Sequence, residues 1–280
     1  MMAKILSEAK VSYIKWDMNR SITECYSVAL PADRQGEVFH RYILGVYDLY
    51  ERLTSEFPEV LFESCSSGGG RFDPGMLYYA PQGWTSDDSD AIERLKIQYG
   101  TSLCYPISSM GSHVSVIPNH QVFRKTPLHT RANVAYFGTF GYELDLNSLK
   151  EEEIAEVKEQ IIFMKKYRKL FQFGDFYRLK SPFEGNETIW MVVSEDKKTA
   201  IVGYYRTLNG VNQAYSRIKL QGLDPDMLYE NILNKTENYG DELMNFGLIT
   251  TDVTAGEVPG DATPCTDFES RIYILKAKEK

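Results

Sequence analysis

At 280 residues, 43% hydrophobic and 25% charged, the chain falls in the globular range with room for two domains, which excludes a disordered or fibrous protein. A net charge of −8 with no basic cluster argues against nucleic acid as a partner, because that binding needs Lys and Arg against phosphates. The four cysteines, Cys25, Cys65, Cys104 and Cys265, stand far apart without a CxxC pair and fit a reduced, cytoplasmic compartment, and no run approaches the roughly 18 apolar residues of a membrane span.

The first stretch, Met1–Asp17, resembles the tail of a helix running into a strand at Val11–Trp16, so Met1 is expected to lie inside a longer parent protein. Gln35–Glu56 has helical apolar spacing at Val38, Tyr42, Leu44, Val46 and Leu49, and Pro58 stops it before a strand at Val60–Ser64. A strand at Gly83–Ser86 leads to a helix over Asp90–Tyr99, where Asp90 and Glu93 have the spacing of a capping box. Strands follow at His113–Ile117 and Gly138–Leu144. The helix Leu149–Leu170 then begins acidic (Glu151, Glu152, Glu153) and ends basic (Lys165, Lys166, Arg168, Lys169), which suits its dipole. Such an alternation predicts an α/β class: an incomplete (β/α)8 TIM-type barrel over residues 1–174, with about the last five of its eight strands.

After Phe173 the period changes to two. Thr188–Val193, Thr199–Arg206, Ser216–Leu220, Met227–Leu233 and Ser270–Lys276, separated by Gly, Asn, Asp and Lys turns, predict an antiparallel β-sandwich domain over residues 175–280, with the boundary near Gly174–Pro182.

Three stretches carry possible chemistry. In YIKWDMNR, Tyr13 to Arg20, strand alternation points Lys15 and Asp17 to one side, with Asn19 where the chain turns away. An ammonium beside a carboxylate favours its ionised form, as a nucleophile requires, but spacing alone equally allows an ion pair that holds a strand end. In ESCSSGGGRFD, Glu63 to Asp73, Cys65 is expected just beyond the strand, and Gly68, Gly69 and Gly70 either let backbone approach a ligand or merely form a turn. In GWTSDDSDAIERL, Gly83 to Leu95, Asp90 caps the helix and Asp88 lies in the turn before it, which leaves Asp87 to face the barrel mouth; Trp84 is either an aromatic platform or buried. His113, His120 and His129 form neither HxH nor HExxH, so no metal and no cofactor are expected.

Taken in this order, KWDMNR, SCSSGGGRFD, WTSDDSDAIERL and the MGSHVSVIPNHQ to GYELDL stretch resemble glycoside hydrolase family 36, the melibiase-type α-galactosidases. The resemblance implies a retaining glycosidase that cleaves terminal α-D-galactosyl residues, with Asp17 as nucleophile and Asp87 as acid/base. It further implies that Lys15, Asn19 and Cys65 contact galactose, that Trp84 lies beside it, that α-galactoside oligosaccharides are the ligands, and that the full-length protein is a homo-oligomer. Two alternatives stay open: an inactive remnant or galactoside-binding fragment, and a related α-N-acetylgalactosaminidase or galactosyltransferase. Family members begin with a β-sandwich and the first barrel strands, so a partial barrel is expected to expose unpaired strand edges and to aggregate, self-pair or depend on a complementary fragment.

Overall fold

Three parallel strands open the computed structural model, which describes residues 1–19, 22–211, 216–250 and 267–278; Arg20 and Cys265 lie outside the described residues. Contacts cluster into two units, one of Met1–Asp87 with Ser109–Gly111, the other of Asp88–Ser108 with Ser112–Lys280. This division differs from the sequence domains at residue 174, because the helix before that point packs on the sheet after it.

In the first unit, α1 (Met2–Glu8) precedes β1 (Tyr13–Asp17), α2 (Val38–Glu56) precedes β2 (Leu61–Cys65), and α3 (Pro74–Tyr79) precedes β3 (Gln82–Gly83). The strands run parallel in the order β1-β2-β3, with Lys15 opposite Glu63 and Asp17 opposite Cys65. β3 is shorter and earlier than the Gly83–Ser86 expected, because pairing stops at Gly83 and the chain turns toward Asp87.

Alternation sorts this sheet by chemistry. Ile14, Trp16 and Phe62 join Leu6, Val46, Tyr50, Met76 and Ala80 in an apolar core under the helices. Tyr13, Lys15, Asp17, Glu63, Cys65 and Gln82 occupy the alternate positions on the opposite face. The helix α3 was not foreseen; Asp73 caps it by accepting from Met76 N–H at 2.8 Å, with Pro74 in its first turn.

In the second unit, α4 (Ala91–Ser102), β4 (Gly111–Ser115), α5 (Leu128–Ala135), β5 (Thr139–Glu143) and α6 (Glu151–Phe173) continue the alternation, and β4 pairs with β5. Asp90 caps α4 through the N–H groups of Ile92 and Glu93 at 3.0 and 3.1 Å. Only half of the expected capping box forms: the Asp90 N–H donates to Asp88 instead, and Glu93 receives Lys96 and Arg124. The last helix runs on to Phe173, so its basic residues sit before the final turn, which holds none. That part of the dipole argument is corrected.

β6 (Asp175–Lys180), β7 (Glu187–Val193), β8 (Thr199–Arg206), β9 (Arg217–Ile218), β10 (Leu228–Asn231), β11 (Glu237–Tyr239), α7 (Gly240–Asn245), β12 (Leu248–Ile249) and β13 (Glu269–Ala277) complete the described chain. An antiparallel sheet has the order β11-β10-β13-β8-β7-β6, and β12 pairs with β9. One face holds Met191, Val202, Tyr204, Tyr273 and Leu275 against Ile218, Leu220, Leu243 and Leu248. On the other face Trp190 and Tyr205 pack on Phe137, and Phe137 packs on Phe171 of α6. Burial on both faces replaces the half-exposed alternation expected of β7 and β8.

Candidate active site

The C-terminal ends of β1 and β2 are fastened together by backbone and side-chain hydrogen bonds. Met18 N–H donates to Cys65 O at 3.1 Å, and the buried Arg71 guanidinium donates to Cys65 O at 2.7 Å and Trp16 O at 3.3 Å. Ser66 Oγ donates to Met18 O at 2.8 Å. These bonds take up carbonyls that the strand ends would leave unpaired.

Asp17 is therefore the last residue of its strand, exposed, and directly opposite Cys65. Cys65 is the last residue of β2, not the first beyond it as expected, and only 2% exposed. Asn19 bridges the site: its amide donates to Asp17 Oδ2 at 2.8 Å, and its oxygen accepts from Ser67 N–H at 2.9 Å. Burial alone would raise the Asp17 carboxyl. Hydrogen bonds from the Cys65 thiol, Asn19 and the Met18 N–H, with the Lys15 charge, outweigh it and hold the group below the usual carboxylate range. The thiol answers in the opposite sense, since burial and then its bond to Asp17 push it up to about 11.

Two of the three glycines lie close against the backbone of Thr85, Ser86 and Asp87. Gly68 has φ +82°, and a Cβ there would lie 2.6 Å from Ser86 Cα and 3.1 Å from Asp87 N. At Gly69 a Cβ would meet Thr85 O at 2.9 Å. Gly68 and Gly69 let their loop lie directly against the backbone that carries Asp87, while a Cβ at Gly70 would meet Ser66 O at 2.7 Å.

Trp84 is 2% exposed, and its indole N–H donates to Asp87 Oδ1 at 3.1 Å. Lys15 Nζ lies 4.3 Å from the Trp84 ring centroid, a cation–π contact. Of the two sequence alternatives Trp84 takes burial, with its indole N–H on Asp87 and the Lys15 ammonium over its ring.

Glu63 was missed by sequence reasoning. It pairs with Lys15 in the strand register, is 2% exposed, and has Lys15 Nζ 3.8 Å from Oε1. Its Oε2 accepts from the Tyr13 hydroxyl and from Gln82 Nε2 at 3.1 Å. Burial, followed by the Glu63 hydrogen bond and charge, raises the Tyr13 phenol well above its usual range. A detectable signal existed: in LFESC, Glu63 lies two residues before Cys65 and so shares its face.

The first unit thus collects Lys15, Asp17, Asn19, Glu63, Cys65, Trp84 and Asp87 in one connected set. Such a set offers a carboxylate kept ionised for nucleophilic attack and a second carboxylate held by an indole. His113, in the second unit, lies near Glu143, with Nδ1 to Oε2 at 3.6 Å. Among the described residues no group of His, Cys, Asp and Glu is arranged to hold a metal.

The family model Melibiase matches residues 1–174, and the model of the glycosyl hydrolase family 36 C-terminal domain matches residues 187–275. The chain is 56% identical over 280 residues to the alpha-galactosidase AgaA of Geobacillus stearothermophilus, covering 99% of this chain and 36% of that protein. The crystal structure of that enzyme superposes with a TM-score of 0.90, covering 99% of this chain and 37% of the other, and a variant of it was solved in complex with raffinose. The alpha-galactosidase from Lactobacillus brevis superposes with a TM-score of 0.93 at 50% identity over all of this chain and 37% of its own. The chain thus spans little more than a third of the length of these relatives.

Proposed function

The chain belongs to the family 36 melibiases, and from that premise we propose that it forms part of a retaining α-galactosidase acting on melibiose- and raffinose-type α-galactosides. The observation that carries the reading is Asp17, held ionised at its strand end by Cys65, Asn19 and Lys15, in one unit with Asp87. The Geobacillus relative bound to raffinose supports the substrate class.

In this reading Asp17 attacks the anomeric carbon while Asp87 protonates the departing glycosidic oxygen. The resulting galactosyl ester at Asp17 is then hydrolysed by a water that Asp87 deprotonates, so configuration is retained after two inversions. Lys15, Asn19, Cys65 and Trp84 surround the sugar. The proposed architecture is the last strands of a (β/α)8 barrel to residue 174, then a β-domain from residue 175; the limits of the two family models support that division.

A second reading, a galactoside-binding fragment that needs further chain for catalysis, draws on one observation. On the face of the site Tyr13 and Leu61 are 44% and 47% exposed, and β1 is an open sheet edge. Hydrolysis of p-nitrophenyl α-galactoside by the chain tests both readings, beside Asp17→Ala and Asp87→Ala, with and without the N-terminal part of the Geobacillus enzyme. Activity lost in both variants supports the two-carboxylate mechanism. Activity that appears only on complementation supports the partial-site form of it, and silence in every condition overturns it.

A further inference from the structure

The buried carboxylate under the site has no part in the two-step mechanism, yet it touches the residues that do. We propose that Glu63 is a positioning residue that fixes the Lys15 ammonium against the Trp84 ring, and through these two groups orders both Asp17 and Asp87. The inference rests on reading the Asp17 face as the active site.

Glu63 stands one step beneath the Asp17–Cys65 pair, directly opposite Lys15 in the strand register. Its two oxygens are in different situations. Oε2 is held by Tyr13 and Gln82, whereas Oε1 is buried without a hydrogen bond and has the Lys15 ammonium 3.8 Å away. A buried carboxylate oxygen without a donor is costly, so the ammonium is the group that makes its burial tolerable.

Lys15, in turn, rides on a flexible stem of rotatable bonds, and its side chain is 36% exposed. Without a fixed counter-charge it would sweep an open face. With one, it stays 4.3 Å from the Trp84 centroid, where its charge also reaches Asp17. The same indole holds Asp87, so one buried charge sets the position of a contact chain that ends at both carboxylates. A lysine placed in this way presents a preorganised donor to a sugar hydroxyl without ordering it during binding.

The ring current of Trp84 supplies a readout that a merely structural carboxylate would not move. In the chain with lysines labelled by ¹³C-methyl groups, the Lys15 signal, assigned with Lys15→Ala, is expected upfield of exposed lysines. Glu63→Gln should return it to their position, and Glu63→Asp, which keeps the charge but draws it back, should return it part of the way. In the complemented assay Glu63→Gln should raise KM about tenfold with a smaller fall in kcat, and Glu63→Asp should recover part of that loss.

A folded Glu63→Gln protein with an unmoved Lys15 signal and native KM overturns the proposal. If that variant does not melt cooperatively, Glu63→Asp is read alone, and an unmoved signal there overturns it as well. Should the native chain cleave no α-galactoside in any condition while the Lys15 signal responds as expected, the active-site reading fails and the positioning of Lys15 by Glu63 stands.

Discussion

The thiol of Cys65 faces Asp17 across the β1–β2 register and hydrogen-bonds its carboxylate, so that each group moves the other's proton affinity, Asp17 down and Cys65 up to about 11. A pair coupled in this way has a direction of response to pH that can be worked out in advance.

Cys65→Ala removes a hydrogen bond that favours the ionised form of Asp17. Its carboxyl then titrates at higher pH, so the acid limb of the kcat/KM profile should shift upward in pH while the alkaline limb stays in place. The profile is read in the complemented assay with p-nitrophenyl α-galactoside. An unshifted acid limb would remove the thiol from the control of Asp17.

Alkylation kinetics probe the other partner. Because the thiolate is the reacting species, the buried Cys65, raised to about 11, should be modified by iodoacetamide at pH 8 well after the exposed Cys25 and Cys104. Peptide mass mapping over time gives the order. Cys65 labelled as early as the other two contradicts its burial and its bond to Asp17.

Gly68→Ala places a methyl group where the backbone of Ser86 lies and strains a residue at φ +82°. The expected cost in stability is about 1–3 kcal/mol. Because the displaced segment carries Asp87, kcat/KM should fall by about a hundredfold. Urea melts and initial rates separate the two effects, and a variant that loses stability with native kcat/KM would show that the loop does not position Asp87.

Trp190→Ala tests the second unit. The side chain is fully buried and packs on Phe137, Phe176 and Tyr205, so truncation should cost about 3–5 kcal/mol. Urea unfolding followed by circular dichroism measures it, and a loss below about 1 kcal/mol would mean that the face toward α6 contributes little.

Much of the site was legible because strand alternation and motif order act locally: Lys15 and Asp17 share a face for the reason the sequence suggests, and Asp90 caps its helix as its spacing implies. What escaped depended on partners distant in sequence. Glu63 acquires its meaning only when β1 and β3 bring Tyr13, Lys15 and Gln82 to it. The glycine stretch was read as a ligand approach or a turn, and neither reading foresaw that Gly68 and Gly69 lie against the backbone of Thr85, Ser86 and Asp87. α5 escaped because Thr130 and Arg131 look like surface residues; both are buried, Thr130 donating to Phe268 O and Arg131 to the carbonyls of Ser115 and Thr126. β6 carries Asp175, Arg178 and Lys180 because it is an edge strand, where polar side chains are tolerated.

The order of the large sheet also makes one strand its keystone. β13 lies between β8 and β10, so the last of the described strands in chain order is the one that joins β6-β7-β8 to β10-β11. Without residues 269–277 the sheet would fall into two separate strand ribbons, and Tyr204, Tyr229 and their neighbours would lack Tyr273 and Leu275 in their core. A translational stop a few residues before Glu269 would therefore yield a product split through the middle of its core, not one with a shortened tail.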